Sequence, residues 1–230
     1  MEPQVIYEDN HIIAVNKPTG WLVQADITGD STLADWTKAY IKHRYKKPGD
    51  VFLGIIHRID RPASGTVIFA RTSKGLSRMN ELIRDRKMKK KYWAITAIRP
   101  NPLSDDLVHY ILKDTEKNKV KVFDRPSRRS GNAKKAEMSY NLLGGIGENF
   151  LLDIDLITGR PHQIRAQLAK VGYPIRGDLK YGFKKLNSDA SIHLHCRSMS
   201  FMHPVKKIPV TIEADPPREQ IWRLFEDIWS

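Results

Sequence analysis

The chain has 230 residues, 40% hydrophobic and 28% charged, with a formal net charge of +13 and a pI near 9.8. That length makes one large domain or two small ones of ordinary globular composition. The single cysteine, Cys196, excludes a disulfide framework and a four-cysteine zinc site, and no apolar run approaches the roughly 18–20 residues needed to cross a bilayer. The start, Met1-Glu2-Pro3-Gln4, lacks the basic and apolar segments of a secretory signal. The excess charge points to a polyanionic partner, nucleic acid before anionic membrane. These bounds lead us to expect a cytoplasmic protein with no membrane part.

In chain order, residues 5–15 read as a hairpin turning at Asp9-Asn10, followed by a turn at Asn16-Lys17-Pro18-Thr19-Gly20. Ser31 is placed to cap a helix over 31–44, with Leu33, Trp36, Tyr40 and Ile41 on one face. Two apolar runs, Val51 to Ile56 and Thr66 to Ala70, read as buried strands. Between them lies His57-Arg58-Ile59-Asp60-Arg61-Pro62-Ala63-Ser64-Gly65, a polar loop anchored in the core at both ends. Neighbouring arginines favour an ionised Asp60, and an oriented carboxylate can act as nucleophile or base at a sugar carbon. A structural salt bridge at a strand end is the plainer use of the same residues.

Thr72 or Ser73 is placed to cap a helix running to about Arg84. The stretch Arg84 to Lys91 holds six basic residues in eight and leads into the strand Tyr92-Trp93-Ala94-Ile95-Thr96. It reads either as a solvated helix end or as a phosphate-binding ridge. From Lys113 to Lys135 nine basic and three acidic residues give a local net of +6, with turn formers around Arg125 to Asn132. That segment reads as an exposed, mobile loop. Strands are expected over 134–143 and 150–157, then the polar turn Thr158 to Arg165, a helix over 166–171 and a two-glycine loop at 177–182. Strands beginning at His193 and Lys207 follow, and a last helix over 218–229 presents Ile221, Trp222, Leu224, Phe225 and Ile228. Strands outnumber helices without regular alternation, which favours an α+β domain around a mostly antiparallel sheet.

Several of these segments together resemble one family. H-R-I-D-R-P-A-S-G is similar to the signature loop of the RluA family of RNA pseudouridine synthases, in which the aspartate is the catalytic carboxylate. Lys90-Lys91-Tyr92-Trp93-Ala94 resembles the strand that supplies a tyrosine to stack on the uracil. Gly159-Arg160-Pro161-His162-Gln163-Ile164-Arg165 resembles the segment whose final arginine pairs with the aspartate and whose aliphatic residue packs near the base. N-K-P-x-G at 16–20, G-D-x-x-Y-G at 177–182 and L-H-C through F-x-H-P at 194–204 match in the expected order. Pro62-Ala63 stands where many relatives carry Asp-Thr.

The resemblance implies a pseudouridine synthase fold, with a large bent mixed sheet in two halves, flanking helices and a central cleft. It implies Asp60, Tyr92 and Arg165 as catalytic residues, with Asp60 and Arg165 as an ion pair. It implies RNA contacts from His57, Arg58, Arg61, Arg160, His162 and Ile164, joined by the basic Lys89, Lys90 and Lys91. No cofactor and no metal are expected. The substrate would be ribosomal or transfer RNA, held by a monomer whose residues 1–230 form one catalytic domain without the small N-terminal RNA-binding domain many relatives carry. A non-catalytic RNA-binding protein and a glycoside or nucleoside hydrolase remain as other classes. A hydrolase would need a second carboxylate, for which Asp153, Asp155 and Asp178 are candidates.

Overall fold

The structure, a computed structural model, describes residues 2–27 and 29–228. Eleven strands and four helices occur among them, an α+β fold. The strands are β1 (Gln4–Glu8), β2 (Ile12–Lys17), β3 (Gly54–Ile55), β4 (Ser64–Ala70), β5 (Lys89–Thr96), β6 (Ser104–Asp114), β7 (Lys119–Phe123), β8 (Lys134–Ile146), β9 (Asn149–Leu156), β10 (Leu194–Met202) and β11 (Pro209–Glu213). The helices are α1 (Leu33–Arg44), α2 (Ser73–Arg84), α3 (Gln163–Lys170) and α4 (Gln220–Arg223).

The chain divides into two compact units, Met1–Lys89 with His195–Pro217, and Lys90–Leu194 with Arg218–Ser230. In the first, strands lie in the order β1-β2-β4-β10, with β3 beside β4 and β11 beside β10. All pairs there are antiparallel except β4 with β10, where Ser64 meets His195 and Gly65 meets Cys196 in parallel register. Its centre is the pair β2 and β4: Ile12 to Val15 and Val67 to Ala70 are fully buried. Near-continuous apolar strands of this kind are covered on both faces. Thr72 caps α2 as expected, its hydroxyl accepting the Gly75 N–H. α1 is capped by Thr32 rather than Ser31, in a reciprocal box with Asp35. The expected strand over 51–56 shrinks to Gly54–Ile55, because Val51 and Phe52 find no partner strand among the described residues and Phe52 stays half exposed.

The second unit is antiparallel throughout, in the order β5-β9-β8-β6-β7. One face of its inner strands, Trp93, Ile95 and Leu151, packs on Trp222 and Phe225. The other face, Ile111, Val120 and Ala136, packs on Ala166 of α3 and on Tyr181. The expected long terminal helix is a single turn, α4, followed by a 3-10 turn at Glu226–Ile228. Trp222 and Phe225 bury, whereas Leu224 and Ile228 stay partly exposed, and Trp229 lies outside the described residues. The expected loop over 113–135 is largely ordered. Leu107, His109 and Ile111 on β6, and Val120 and Val122 on β7, turn one side of a hairpin toward the core. Lys119 and Lys121 alternate outward on β7, the outer strand, where lysines also guard an edge against pairing with other chains.

Candidate functional site

In the first unit three of the matching segments meet around the loop that carries Asp60. Lys17, fully buried, donates from Nζ to the carbonyls of Pro18 (3.0 Å), Trp21 (2.9 Å) and Arg61 (3.1 Å). Three acceptors match the three donors of an ammonium. Burial pushes the Lys17 ammonium down to about 7, against the pull of the Asp60 charge. The Gly20 N–H also donates to the Arg61 carbonyl (2.9 Å), and the Arg61 Nε returns a bond to the Gly20 carbonyl (3.0 Å). The Ala63 N–H closes a turn on the Asp60 carbonyl (3.1 Å). These bonds hold the loop by its main chain, and Asp60 within it is part exposed. The same bonds answer for Pro62, whose missing N–H is not among these donors.

The outer residues of the loop divide between holding and exposure. Arg61 pairs with Asp30 at 2.8 Å, and His57 Nε2 accepts the Ile68 N–H (3.0 Å). Arg58 is exposed. Gly65 takes φ +115°, and a Cβ there would lie 2.4 Å from the Cys196 carbonyl oxygen, so the parallel contact of β4 with β10 requires glycine. Beside it the Ser64 hydroxyl bonds His195 Nδ1 (2.8 Å), and His195 Nε2 bonds the Ala214 carbonyl (2.9 Å). A carbonyl only accepts, so Nε2 carries the proton and Nδ1 accepts from Ser64.

That latch should make the protein acid-sensitive. Burial holds His195 down to about 4, and His193 likewise. Below the ordinary histidine value near 6.5 the unfolded chain takes up protons that the fold refuses, so stability falls as pH drops from about 6.5 toward 4. Melting temperatures across this range should fall less steeply in His195→Gln, which can still bond the Ala214 carbonyl. An identical slope in the variant would refute a neutral buried ring as the cause.

In the second unit, Tyr92 lies on β5 opposite Ile154, 7% exposed. The turn before α3 is laced to β8: Thr158 donates to Gln163 Oε1 (2.8 Å), which also accepts the Arg160 N–H (3.0 Å). Gln163 Nε2 donates to the Glu137 carbonyl (3.1 Å), and Arg160 Nε to that of Lys135 (3.0 Å). Ile164 and Arg165 fall in the first turn of α3, each 4% exposed. The helix thus begins at Gln163, earlier than the expected Ala166.

Arg165 grips a carboxylate that the family resemblance does not assign to it. Its Nε and Nη2 fork onto the two oxygens of Asp178 at 2.7 and 2.8 Å, and Asp178 is 1% exposed. Two parallel charge-assisted bonds suit a planar guanidinium. The G-D-x-x-Y-G match carries the signal for Asp178, but nothing local joins it to Arg165. The same holds for Lys17 in N-K-P-x-G, which reads as a simple turn.

Strand alternation divides the three lysines of the expected ridge. Lys89 and Lys91 share one face of β5 and Lys90 shares the other with Tyr92. Lys91 is taken up by Asp153 (2.6 Å) and Asp155 (3.3 Å). Lys90 Nζ lies beside Gly159, 3.3 Å from where a Cβ would stand. Lys89 is exposed.

A family model described as RNA pseudouridylate synthase matches residues 11–170. The chain is 32% identical over 218 residues to ribosomal large subunit pseudouridine synthase C of Buchnera aphidicola subsp. Baizongia pistaciae, covering 91% of this chain and 66% of that one. It is 27% identical over 226 residues to tRNA pseudouridine synthase C of Pectobacterium carotovorum, covering 92% and 58%. The chain thus spans about two thirds, or less, of the length of these relatives. Among solved structures, human RNA pseudouridylate synthase domain containing 4 superposes with a TM-score of 0.78 at 25% identity, over 96% of this chain and 91% of that one. The matched residues include the Asp60 loop, Tyr92 and the turn into Arg165, and on this match the chain belongs to the RNA pseudouridylate synthase family.

Proposed function

We propose that the protein isomerises uridine to pseudouridine in RNA, with Asp60 as the reacting carboxylate. The observation that carries this reading is the loop itself: a family-matching, part-exposed aspartate on a turn locked by Lys17, Gly20 and Ala63 through main-chain oxygens. The N1–C1′ bond breaks, the uracil turns, C5 bonds to C1′ and loses its proton, and N1 takes one up, so the composition is unchanged. Two routes serve the same carboxylate, attack at C1′ or removal of the C2′ proton. Tyr92 is assigned to the base and its C5 proton, Ile164 to packing near the base, and Arg165 to the charge of the reacting carboxylate. Arg58, His57, Arg61, Arg160 and His162 are assigned to RNA. The uridine leaves its stack to react, at a cost of a few kcal/mol. Residues 1–230 act as one catalytic domain in a cytoplasmic monomer.

Large-subunit ribosomal RNA is the substrate we favour, since ribosomal enzymes head the similar proteins. Transfer RNA is the second reading, on the likeness to a tRNA enzyme. Tritium release from RNA labelled with 5-tritiated uridine tests the reaction. No release, with RNA still bound, would leave a binding protein. Mapping pseudouridines in a deletion strain then identifies the RNA. Hydrolysis is disfavoured by its missing acid: Asp178 is forked by Arg165, while Asp153 accepts from Lys91 and from Trp93 Nε1 (3.1 Å). Asp155, the third candidate, also faces Lys91 at 3.3 Å, so each of these carboxylates is already engaged by a cation of the fold.

RNA affinity should depend steeply on salt. Each phosphate neutralised contributes about −0.7 to −0.9 to the slope of log K against log salt. Replacing Lys89, Lys90, Lys119 and Lys121 by Gln should flatten the slope by about that amount for each phosphate left without its lysine. Lys91 is left in place because its removal would strand Asp153. A slope identical to wild type would make these lysines edge protection and solvated surface only.

A further inference from the structure

We infer that Tyr181 is a positioning residue for Arg165, acting through its hydroxyl. This rests on the proposed function in taking Arg165 as part of the reaction. Three elements of the second unit converge on this side chain, which is 8% exposed. Its hydroxyl oxygen accepts the Val120 N–H of β7 at 3.0 Å. It also lies 2.8 Å from His162 Nδ1. Either tautomer of His162 makes this bond, as donor or as acceptor, and the Tyr181 hydroxyl serves it in both cases. The ring lies under the Arg165 guanidinium at 5.1 Å and under the Lys119 ammonium at 5.4 Å, with His162 edge-on at 5.8 Å. The Tyr181 N–H bonds the carbonyl of Asp178, the residue whose carboxylate grips Arg165.

The reason a hydroxyl matters here is the way α3 begins. His162 is its N-cap, in the left-handed region at φ 50°, and gives no side-chain cap to the helix. Without a side-chain cap the first turn depends on bonds made outside the helix, such as the Gln163 N–H to the Arg160 carbonyl (3.2 Å). The His162 ring is instead tied sideways to Tyr181. That bond holds the residue from which the first turn departs, three positions before Arg165. The same oxygen fixes the basic edge strand β7. Tyr181 thus ties the edge that carries Lys119 and Lys121 to the turn that aims Arg165.

Tyr181→Phe keeps the ring under both cations and deletes both hydroxyl bonds. With saturating enzyme and 5-tritiated uridine RNA from a deletion strain, the single-turnover rate constant should fall at least tenfold. The enzyme concentration that gives half the maximal single-turnover rate constant should move less than threefold. The rate constant, unlike the amplitude, does not follow the folded fraction, so a merely structural hydroxyl would leave it alone. His162→Ala should slow turnover similarly, and the double variant should be no slower than the slower single, because both remove the shared His162–Tyr181 bond. A Tyr181→Phe rate within twofold of wild type, or multiplying effects in the double variant, would overturn the inference. Hydrogen exchange without RNA gives a second readout: the Ala166 amide, bonded to the His162 carbonyl at 3.0 Å, should exchange faster in His162→Ala and in Tyr181→Phe. Unchanged exchange at Ala166 also overturns it. If the wild-type protein releases no tritium, the catalytic reading has failed, and the exchange result alone decides the positioning.

Discussion

Asp60→Asn should abolish tritium release while leaving the protein folded and bound to RNA. The amide keeps the size and polarity of the side chain but can neither attack C1′ nor take a proton. Loss of a sole nucleophile or base removes on the order of 10⁴-fold of rate or more. The fold should tolerate the change because the bonds that hold the loop run to its main chain: Lys17 and Gly20 on the Arg61 carbonyl, and Ala63 on that of Asp60. The melting temperature should therefore move little, and RNA affinity should stay within a few-fold of wild type. Turnover near the wild-type rate would end the mechanism. So would a collapse of RNA binding at full stability, because it would make Asp60 a binding residue.

Arg165→Ala should damage both stability and turnover. It leaves the Asp178 carboxylate, 1% exposed, without the two donors that now face it. Removing one member of a buried pair costs about 3–5 kcal/mol. For a chain of this length that lowers the melting temperature by about 10 °C. Arg165→Lys restores charge without the fork and should recover part of both losses. The pair of changes Arg165→Met with Asp178→Leu separates the two roles. Replacing a buried ion pair by apolar groups of similar volume is near neutral for stability, so the melting temperature should return while turnover stays lost. If Arg165→Ala melts like wild type, the fork contributes nothing to the fold. If the Met and Leu variant is active, Arg165 has no part in the reaction.

Features written in a few consecutive residues can be read directly from the chain. The β1–β2 hairpin and the Thr72 cap of α2 are local, because each depends on backbone preferences and hydrogen bonds among near neighbours. The motif residues are legible for the same reason, as spacings within short segments. Where structure and expectation part, the deciding neighbour lies far along the chain. Residues 113–135 resemble a loop by charge, yet Val120 and Val122 alternate inward and bury against α3 and Tyr181, so a hairpin forms. Val51 and Phe52 resemble strand by composition and lack a neighbouring strand to pair with among the described residues. The terminal segment has helical spacing but only Trp222 and Phe225 find a surface, and one turn of helix results.

The site divides along the same line. By itself the sequence determined which side chains are available: a carboxylate at 60 on a turn, a tyrosine at 92 on a strand, an arginine at 165 opening a helix. It also determined a basic surface, because charge is additive and does not depend on the fold. Only the tertiary structure decided what each of them touches. Lys17 joined the Asp60 loop through the Arg61 carbonyl, and Arg165 forked onto Asp178. β-alternation parted Lys90 from Lys89 and Lys91. Partners of buried charge are selected by burial and geometry in three dimensions, where an unanswered charge is costly, and that selection has no signature in sequence spacing.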